Sequence, residues 1–162
     1  MDAIKLLEWQ HDEVDTLFTQ YAEAEDDEEK LEVFNAIADS LSAHATIEEK
    51  LFYPAVYVGE LREQLSDAIE EHMRAKRVIS DLIDLEPSDP KFDKKMKVLQ
   101  EEVEQHVSEE EEELFPIVKQ ALPKLELEAL GELMEELYED LMASNPREEI
   151  GEEAEDEAAS VR

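Results

Sequence analysis

The chain of 162 residues has no cysteine. Disulfides, thiolate metal sites and cysteine nucleophiles are therefore excluded. It has only 3 glycines and 6 prolines, so there is no glycine-rich loop that could cradle a phosphate. It also lacks the run of about 18 or more apolar residues that a membrane-spanning helix needs. Its first residues, "MDAIKLLEWQ", do not pair a basic stretch with an apolar block, as a signal peptide would. The simplest compartment is the cytoplasm. Positive charge is scarce: 15 Lys and Arg face 47 Asp and Glu, for a net charge of -32. Phosphate contacts need a basic surface, so no nucleic-acid partner is expected. An anionic membrane would repel the chain as well.

What is present is an ordinary core inside an acidic surface. Hydrophobic residues make up 42% of the chain, which is enough for one domain. They recur at helical spacing almost throughout, so the expected class is all-α. A halophilic cytoplasm suits such a chain, because high salt screens the self-repulsion of its surface.

Five helical segments are readable. The first runs from about Asp2 to Ala24, with Ile4, Leu7, His11, Val14 and Phe18 on one stripe. After the acidic turn "AEDDEEK", the second carries Phe34, Ile37, Leu41, His44, Glu48 and Leu51 in line, and Pro54 should kink it or end its regular part. The third covers roughly Glu60 to Leu85, with Leu61, Leu65, Ala68, His72, Ala75, Ile79 and Leu82 on its stripe. "EPSDP" is a loop in which Ser88 or Asp89 can cap the fourth helix. That helix aligns Phe92, Met96, Leu99, Val103, His106, Glu110, Leu114 and Ile117. A shorter fifth helix is expected over 123–143, and a disordered acidic tail over 144–162.

An internal repeat organises residues 1–122. His44 and His106 are 62 residues apart, as are Glu48 and Glu110, Glu49 and Glu111, Tyr53 and Phe115, and Pro54 and Pro116. His11 and His72 are 61 apart. Two helical hairpins of one layout pack naturally as an antiparallel four-helix bundle. The fifth helix then covers one flank or one end.

Glutamate is so abundant that a single HxxxE pair carries little weight, and a lone histidine on an apolar stripe is more often a core residue than a ligand. Four features together point to a metal. The chain has only 4 histidines, and each long helix carries one. Each lies on its apolar stripe. The two HxxxE pairs hold equivalent places in the repeat. Glu48 and Glu110 also fall on apolar stripes, where an ionised carboxylate is costly unless it is paired or binds a cation. Residues i and i+4 are neighbours on a helix face, so His44 with Glu48, and His106 with Glu110, can reach one cavity. His11 and His72 come from the other two helices. Four imidazoles and two carboxylates suit iron, with manganese or zinc as alternatives. Two carboxylates that can each span two ions favour a pair over one.

This order, with "HATIEEKLFYP" from residue 44 and "HVSEEEEELFP" from residue 106, resembles the hemerythrin-like family of HHE cation-binding domains. The resemblance covers about residues 1–120. It implies an oxo- or hydroxo-bridged di-iron centre inside the bundle. His11 and His44 would ligate one iron, His72 and His106 the other, and Glu48 and Glu110 would bridge them. The oxygen carriers of the family have a further histidine where this chain has Lys76. That departure turns the expectation from reversible oxygen carriage toward sensing of oxygen, peroxide or nitric oxide, peroxide-consuming redox chemistry, or iron handling. The expected partner is a small diatomic or peroxide ligand.

Other residues read more plainly. Glu49 and Glu111 fit a solvated face better than a place beside the ligands. Glu71 points elsewhere on its helix than His72. Tyr53 and Phe115 read as core aromatics, Met73 and Met96 as gap-fillers, and Trp9 as a residue close enough to His11 to wall the pocket. A metal-free structural bundle and a ferritin-like di-iron oxidase are the competing readings. The latter uses Glu-x-x-His pairs, and Glu8 with His11 is the one such match here. A mononuclear zinc enzyme has no HExxH motif to rest on.

Overall fold

The computed structural model describes residues 1–57, 59–148 and 150. Its helices are α1 (Ala3–Glu23), α2 (Asp27–Ile47), α3 (Tyr53–Ala55), α4 (Arg62–Ile83), α5 (Pro90–Glu109), α6 (Phe115–Ala121) and α7 (Lys124–Met142), with no strand among the described residues. α2 runs into α3 through a π-helical turn, Glu48–Phe52, and α5 runs into α6 through another, Glu110–Leu114. The described residues thus form five long helical rods. None of the described helices is long and apolar enough to cross a membrane.

Aspartates start three of the long rods. Asp2 accepts a hydrogen bond from the Lys5 N–H at 2.9 Å, Asp26 from that of Glu29 at 2.8 Å, and Asp89 from that of Lys91 at 2.9 Å. Each satisfies a donor that the first turn leaves without a helical partner. Of the two candidate caps in the 86–90 loop, Asp89 is the one used, and Pro90 follows it at a position where its missing N–H costs nothing. The regular α-helix widens just before each proline of the repeat and resumes with it. Pro54 and Pro116 cannot donate to the carbonyl four residues back. The N–H just before each instead bonds five residues back, Tyr53 to Glu48 and Phe115 to Glu110. Both π turns therefore begin on the glutamate of an HxxxE pair, a local irregularity of the kind often found at functional sites.

The stripes read from the sequence face inward and divide the core in two. One apolar cluster gathers Ile4, Leu7, Ile47, Phe52, Leu61, Leu65, Leu114 and Phe115. The other gathers Val14, Phe18, Phe34, Ile37, Ile79, Leu82, Phe92 and Leu99. On each of the four rods that carry a histidine, α1, α2, α4 and α5, it falls between the two clusters, so the bundle is cut at mid-height by a polar layer.

α7 lies along α1, α2 and the first π turn, so it covers a flank of the first hairpin. It buries Leu127 and Met134, each worth about 1.5–3 kcal/mol when fully removed from water. It comes close because Gly131 has no side chain. A Cβ there would sit 2.3 Å from the Met1 carbonyl oxygen and 2.7 Å from the Ala3 nitrogen.

Residues 144–148 and Ile150, expected to lie in a disordered tail, pack on the bundle instead. Asn145 turns the chain with a left-handed φ of 46°, a conformation asparagine tolerates better than most residues. The Ser42 hydroxyl then donates to the Pro146 carbonyl at 2.9 Å, Arg147 pairs with Asp39 at 2.6 Å, and Ile150 is fully buried in the second cluster. An arginine and an isoleucine inside an acidic stretch give it something to pair and something to bury. The rest of the expected tail, Glu149 and residues 151–162, lies outside the described residues.

Candidate metal centre

The polar layer brings all six expected site residues together. His44, Glu48, His106 and Glu110 each offer a ligand atom, and these atoms lie within 4.8 Å of one another. His72 Nε2 is 3.0 Å from Glu48 Oε1, and His11 Nε2 is 3.1 Å from Glu110 Oε1. The imidazoles fall into two pairs: His11 with His44, ring centroids 4.9 Å apart, and His72 with His106, 4.6 Å apart. Each carboxylate touches both pairs. Glu48 Oε1 lies 3.0 Å from His44 Nε2 and 3.0 Å from His72 Nε2. Glu110 presents Oε1 to His11 and Oε2 to His106 Nε2, the latter at 3.3 Å. All six side chains are buried.

The inner nitrogens share one chemistry. Every Nε2 points toward Glu48 or Glu110, while Nδ1 faces outward. His72 Nδ1 is 3.0 Å from Glu49, His106 Nδ1 is 3.0 Å from Glu71, and His44 Nδ1 is 2.6 Å from the Gln10 carbonyl. An acceptor on Nδ1 fixes the tautomer that leaves the Nε2 lone pair free for a cation. The fit to a cation shows in two further atoms. His44 Nε2 and Glu48 Oε2 are buried and lack any hydrogen-bond partner among the described residues. Two acceptors left bare in a core are costly unless something positive meets them.

The electrostatics of the layer are those of ionised carboxylates facing imidazoles. Burial alone would raise the Glu48 carboxyl, but the His44 charge and hydrogen bonds within the layer hold it well below the usual range. Glu110 is also lowered, by His106 working against burial and the Glu48 charge. Burial opposes a charged imidazole, yet Glu110 and Glu48 raise His106 well above its ordinary value. The carboxylates likewise outweigh burial at His11 and His72, whose pKa values rise. At His44 burial wins and the ring is held below its ordinary value. Protons and cations would compete for the same atoms.

Several neighbours differ from their sequence reading. Tyr53 is a core aromatic by burial, but its hydroxyl donates to Glu110 Oε2 at 2.7 Å and lies 3.4 Å from His72 Nε2. Burial and the two carboxylates push that hydroxyl well up, so it keeps its proton. Glu71 is buried and bonds His106 across the α4–α5 interface, although one residue from His72 it should point away. Glu49 leaves the solvated face for His72, with Lys76 buried 3.7 Å beyond it. Glu111 stays partly exposed, 3.6 Å from His11 Nδ1. Trp9 does not wall the pocket: it is 46% exposed, because one residue from Gln10 and two from His11 it projects from the other side of α1. Phe115 takes that role, stacked on His11 at 6.0 Å. Gln10 escaped the sequence reading altogether. Its one signal is a polar residue beside a stripe histidine.

Comparison with known proteins gives three findings. The family model described as Hemerythrin HHE cation binding domain matches residues 2–118. A DNA nickase from Nostoc sp. is 31% identical over 124 residues, which is 75% of this chain and 35% of that protein. The chain thus spans about a third of that relative's length. The crystal structure of a Hemerythrin HHE cation binding domain-containing protein from Mycobacterium kansasii superposes with a TM-score of 0.79 at 28% identity, covering 89% of each chain.

Proposed function

The chain belongs to the hemerythrin HHE cation-binding domain family, and on that premise we propose that its polar layer holds two metal ions, iron foremost, where O2, peroxide or NO binds or reacts. The observation that carries the proposal is the disposition of the two carboxylates. Glu48 and Glu110 are fully buried, each touches one imidazole of either pair, and Glu48 Oε2 has no hydrogen-bond partner. A carboxylate so placed can span two cations, and a charge so buried calls for them. The nitrogen and oxygen donor set, free of sulfur, suits iron, manganese or zinc. A bound pair of redox-active ions would supply electrons and an open position for a small ligand.

The protein's own residues would do the rest. His11 and His44 would hold one ion, and His72 and His106 the other. Gln10, Glu49 and Glu71 orient three of the four rings through Nδ1. The Tyr53 hydroxyl holds Glu110 Oε2 in place and sets a proton donor among the inner atoms. Phe52 and Phe115, both fully buried, close the layer on one side and exclude water. Lys76 occupies the place of a further histidine and faces Glu49, so it adds a positive charge beside the centre and leaves that position to another ligand. This favours sensing, redox chemistry or iron handling over oxygen carriage. Nicking of DNA is not carried over to this chain, because a net charge of -32 opposes contact with phosphate.

The test is the double substitution His44→Ala, Glu48→Ala. It removes one imidazole and one shared carboxylate and should abolish bound metal while the protein stays helical by circular dichroism. Metal content equal to the wild type in that variant would sink the proposal and favour a metal-free bundle.

A further inference from the structure

We propose that the cavity between the start of α4 and the second π turn is the entry route for divalent cations, along which a graded line of carboxylates leads from solvent to Glu110. The inference rests on the two-ion reading above and adds how the ions arrive.

In a chain with 47 Asp and Glu, acidic residues around a cavity carry little weight by themselves. The order of these carries more. Gln64, Asp67, Ala68 and Glu71 recur at helical spacing, so one face of α4 presents all four. Glu109, which ends α5, and Glu110 and Glu113 of the π turn face them across a cavity of about 130 Å³. Asp67 and Glu113 are exposed, Gln64 and Glu109 are partly buried, and Glu71 and Glu110 are buried. The cavity thus has a mouth, a middle and a floor. Its two floor carboxylates bracket one ring: Glu71 Oε1 lies 3.0 Å from His106 Nδ1, and Glu110 Oε2 lies 3.3 Å from His106 Nε2. The inner end of the cavity is therefore the polar layer itself.

Two further observations separate this cavity from ordinary acidic surface. No basic residue is among the described residues that line it; Arg74, three residues beyond Glu71, pairs with Glu102 at 3.3 Å. Gln64 Oε1 is buried and has no hydrogen-bond partner among the described residues. Such an acceptor, set among carboxylates that cannot donate to it, calls for water or a cation. The volume is well above the roughly 10–15 Å³ that one water needs, so carboxylate oxygens can replace the waters of an incoming ion in steps. Oxygen donors of this kind suit hard divalent cations. A cleft lined by one sign of charge also raises the local concentration of its counter-ion and the rate of entry by about 10–10³-fold. The groove between α1 and α5 reaches the layer too, at His11, and Asp15 and Glu104 line it, but none of its acids is buried. It has a mouth without a floor to receive the ion, and so it supplies a control of equal charge.

Anaerobic uptake of Fe²⁺ by the metal-free protein at low salt, sampled with a ferrous chelator, gives both a rate and a final content. Asp67→Asn with Glu113→Gln should slow uptake about tenfold and leave the final content at that of the wild type. Asp15→Asn with Glu104→Gln removes the same charge from the other groove and should leave the rate within about twofold of the wild type. Ala68→Leu, which grows into the cavity without changing its charge, should slow uptake as well. In molar KCl, where the screening length is about 3 Å, the effect of the first pair should largely vanish and that of Ala68→Leu should persist. An unchanged rate in Asp67→Asn with Glu113→Gln, equal slowing by both charge pairs, or a lower final content in the first pair would each overturn the route and leave the two-ion reading standing. Uptake of no ion, or of one, by the wild type would overturn the two-ion reading itself.

Discussion

Gly131→Ala sets two effects of opposite sign against each other. In an exposed helix the change would stabilise α7 by about 1 kcal/mol, since alanine loses less backbone freedom on folding. Here the new Cβ would lie 2.3 Å from the Met1 carbonyl oxygen, 2.7 Å from the Asp2 carbonyl carbon and 2.7 Å from the Ala3 nitrogen. All three are backbone atoms, so no rotamer change relieves the contact. Either the start of α1 shifts, disturbing the Asp2 cap and the fully buried Ala3, or α7 lifts and loosens Leu127 and Met134. Forcing an extra carbon into such a contact costs about 1–3 kcal/mol. Three backbone contacts under 3 Å put the cost at the upper end, about 2–3 kcal/mol, so after the propensity gain the net expectation is destabilisation of about 1–2 kcal/mol, or a fall in Tm of roughly 2–8 °C at this chain length. Urea denaturation of the wild type and the variant measures it. Leu133→Ala on the exposed face of the same helix, where Leu133 is 56% exposed, should change stability by no more than about 0.5 kcal/mol. A Gly131→Ala protein as stable as the wild type, or more so, would refute the close docking of α7 on the start of α1.

Other consequences are as direct. Ile150→Ala should cost about 2 kcal/mol or more, because the side chain is fully buried in the second cluster; no change by urea denaturation would return this segment to the solvated tail. Tyr21→Phe should cost about 1 kcal/mol near neutral pH, because the hydroxyl donates to the Asp93 carboxylate at 2.5 Å on a surface where solvent screens the pair. Burial and Asp93 raise Tyr21 above its ordinary 10.0, so its share is present below pH 10.0 and is lost as pH rises through the folded value. The Tyr21 hydrogen bond lowers Asp93 from its ordinary 3.8, so that share is present above pH 3.8 and is lost as pH falls through the folded value. The stability difference between wild type and variant should therefore be flat between those limits and narrow outside them. A net charge of -32 predicts a Tm that climbs from dilute to molar KCl; a flat profile would remove the argument for a halophilic setting.

Much of this architecture can be read from the amino-acid order, for a physical reason. An apolar stripe of helical period must face the core, so a histidine or glutamate on that stripe is carried inward with it. That is why His11, His44, His72, His106, Glu48 and Glu110 meet in one layer. Gln10, Glu49 and Glu71 stand one position away from a residue of that layer. Whether such a residue turns outward or meets a ring of the next helix depends on how the rods pack, which periodicity does not encode. Tyr53 differs again. Its ring reads correctly as core, but the reach of its hydroxyl to Glu110 depends on the π turn before Pro54. The sequence marks that place only with a proline. Ile150 was hidden by its acidic surroundings, since one isoleucine among glutamates shows no period.

Two irons held between His11, His44, His72, His106, Glu48 and Glu110 are the central claim, and the metal content of the purified protein tests it most directly. Elemental analysis, with an ultraviolet–visible spectrum taken before and after exposure to air, should give about two irons per chain and a near-ultraviolet absorption that changes on oxidation. Protein that stays folded without metal and takes up no iron when it is offered would contradict the account.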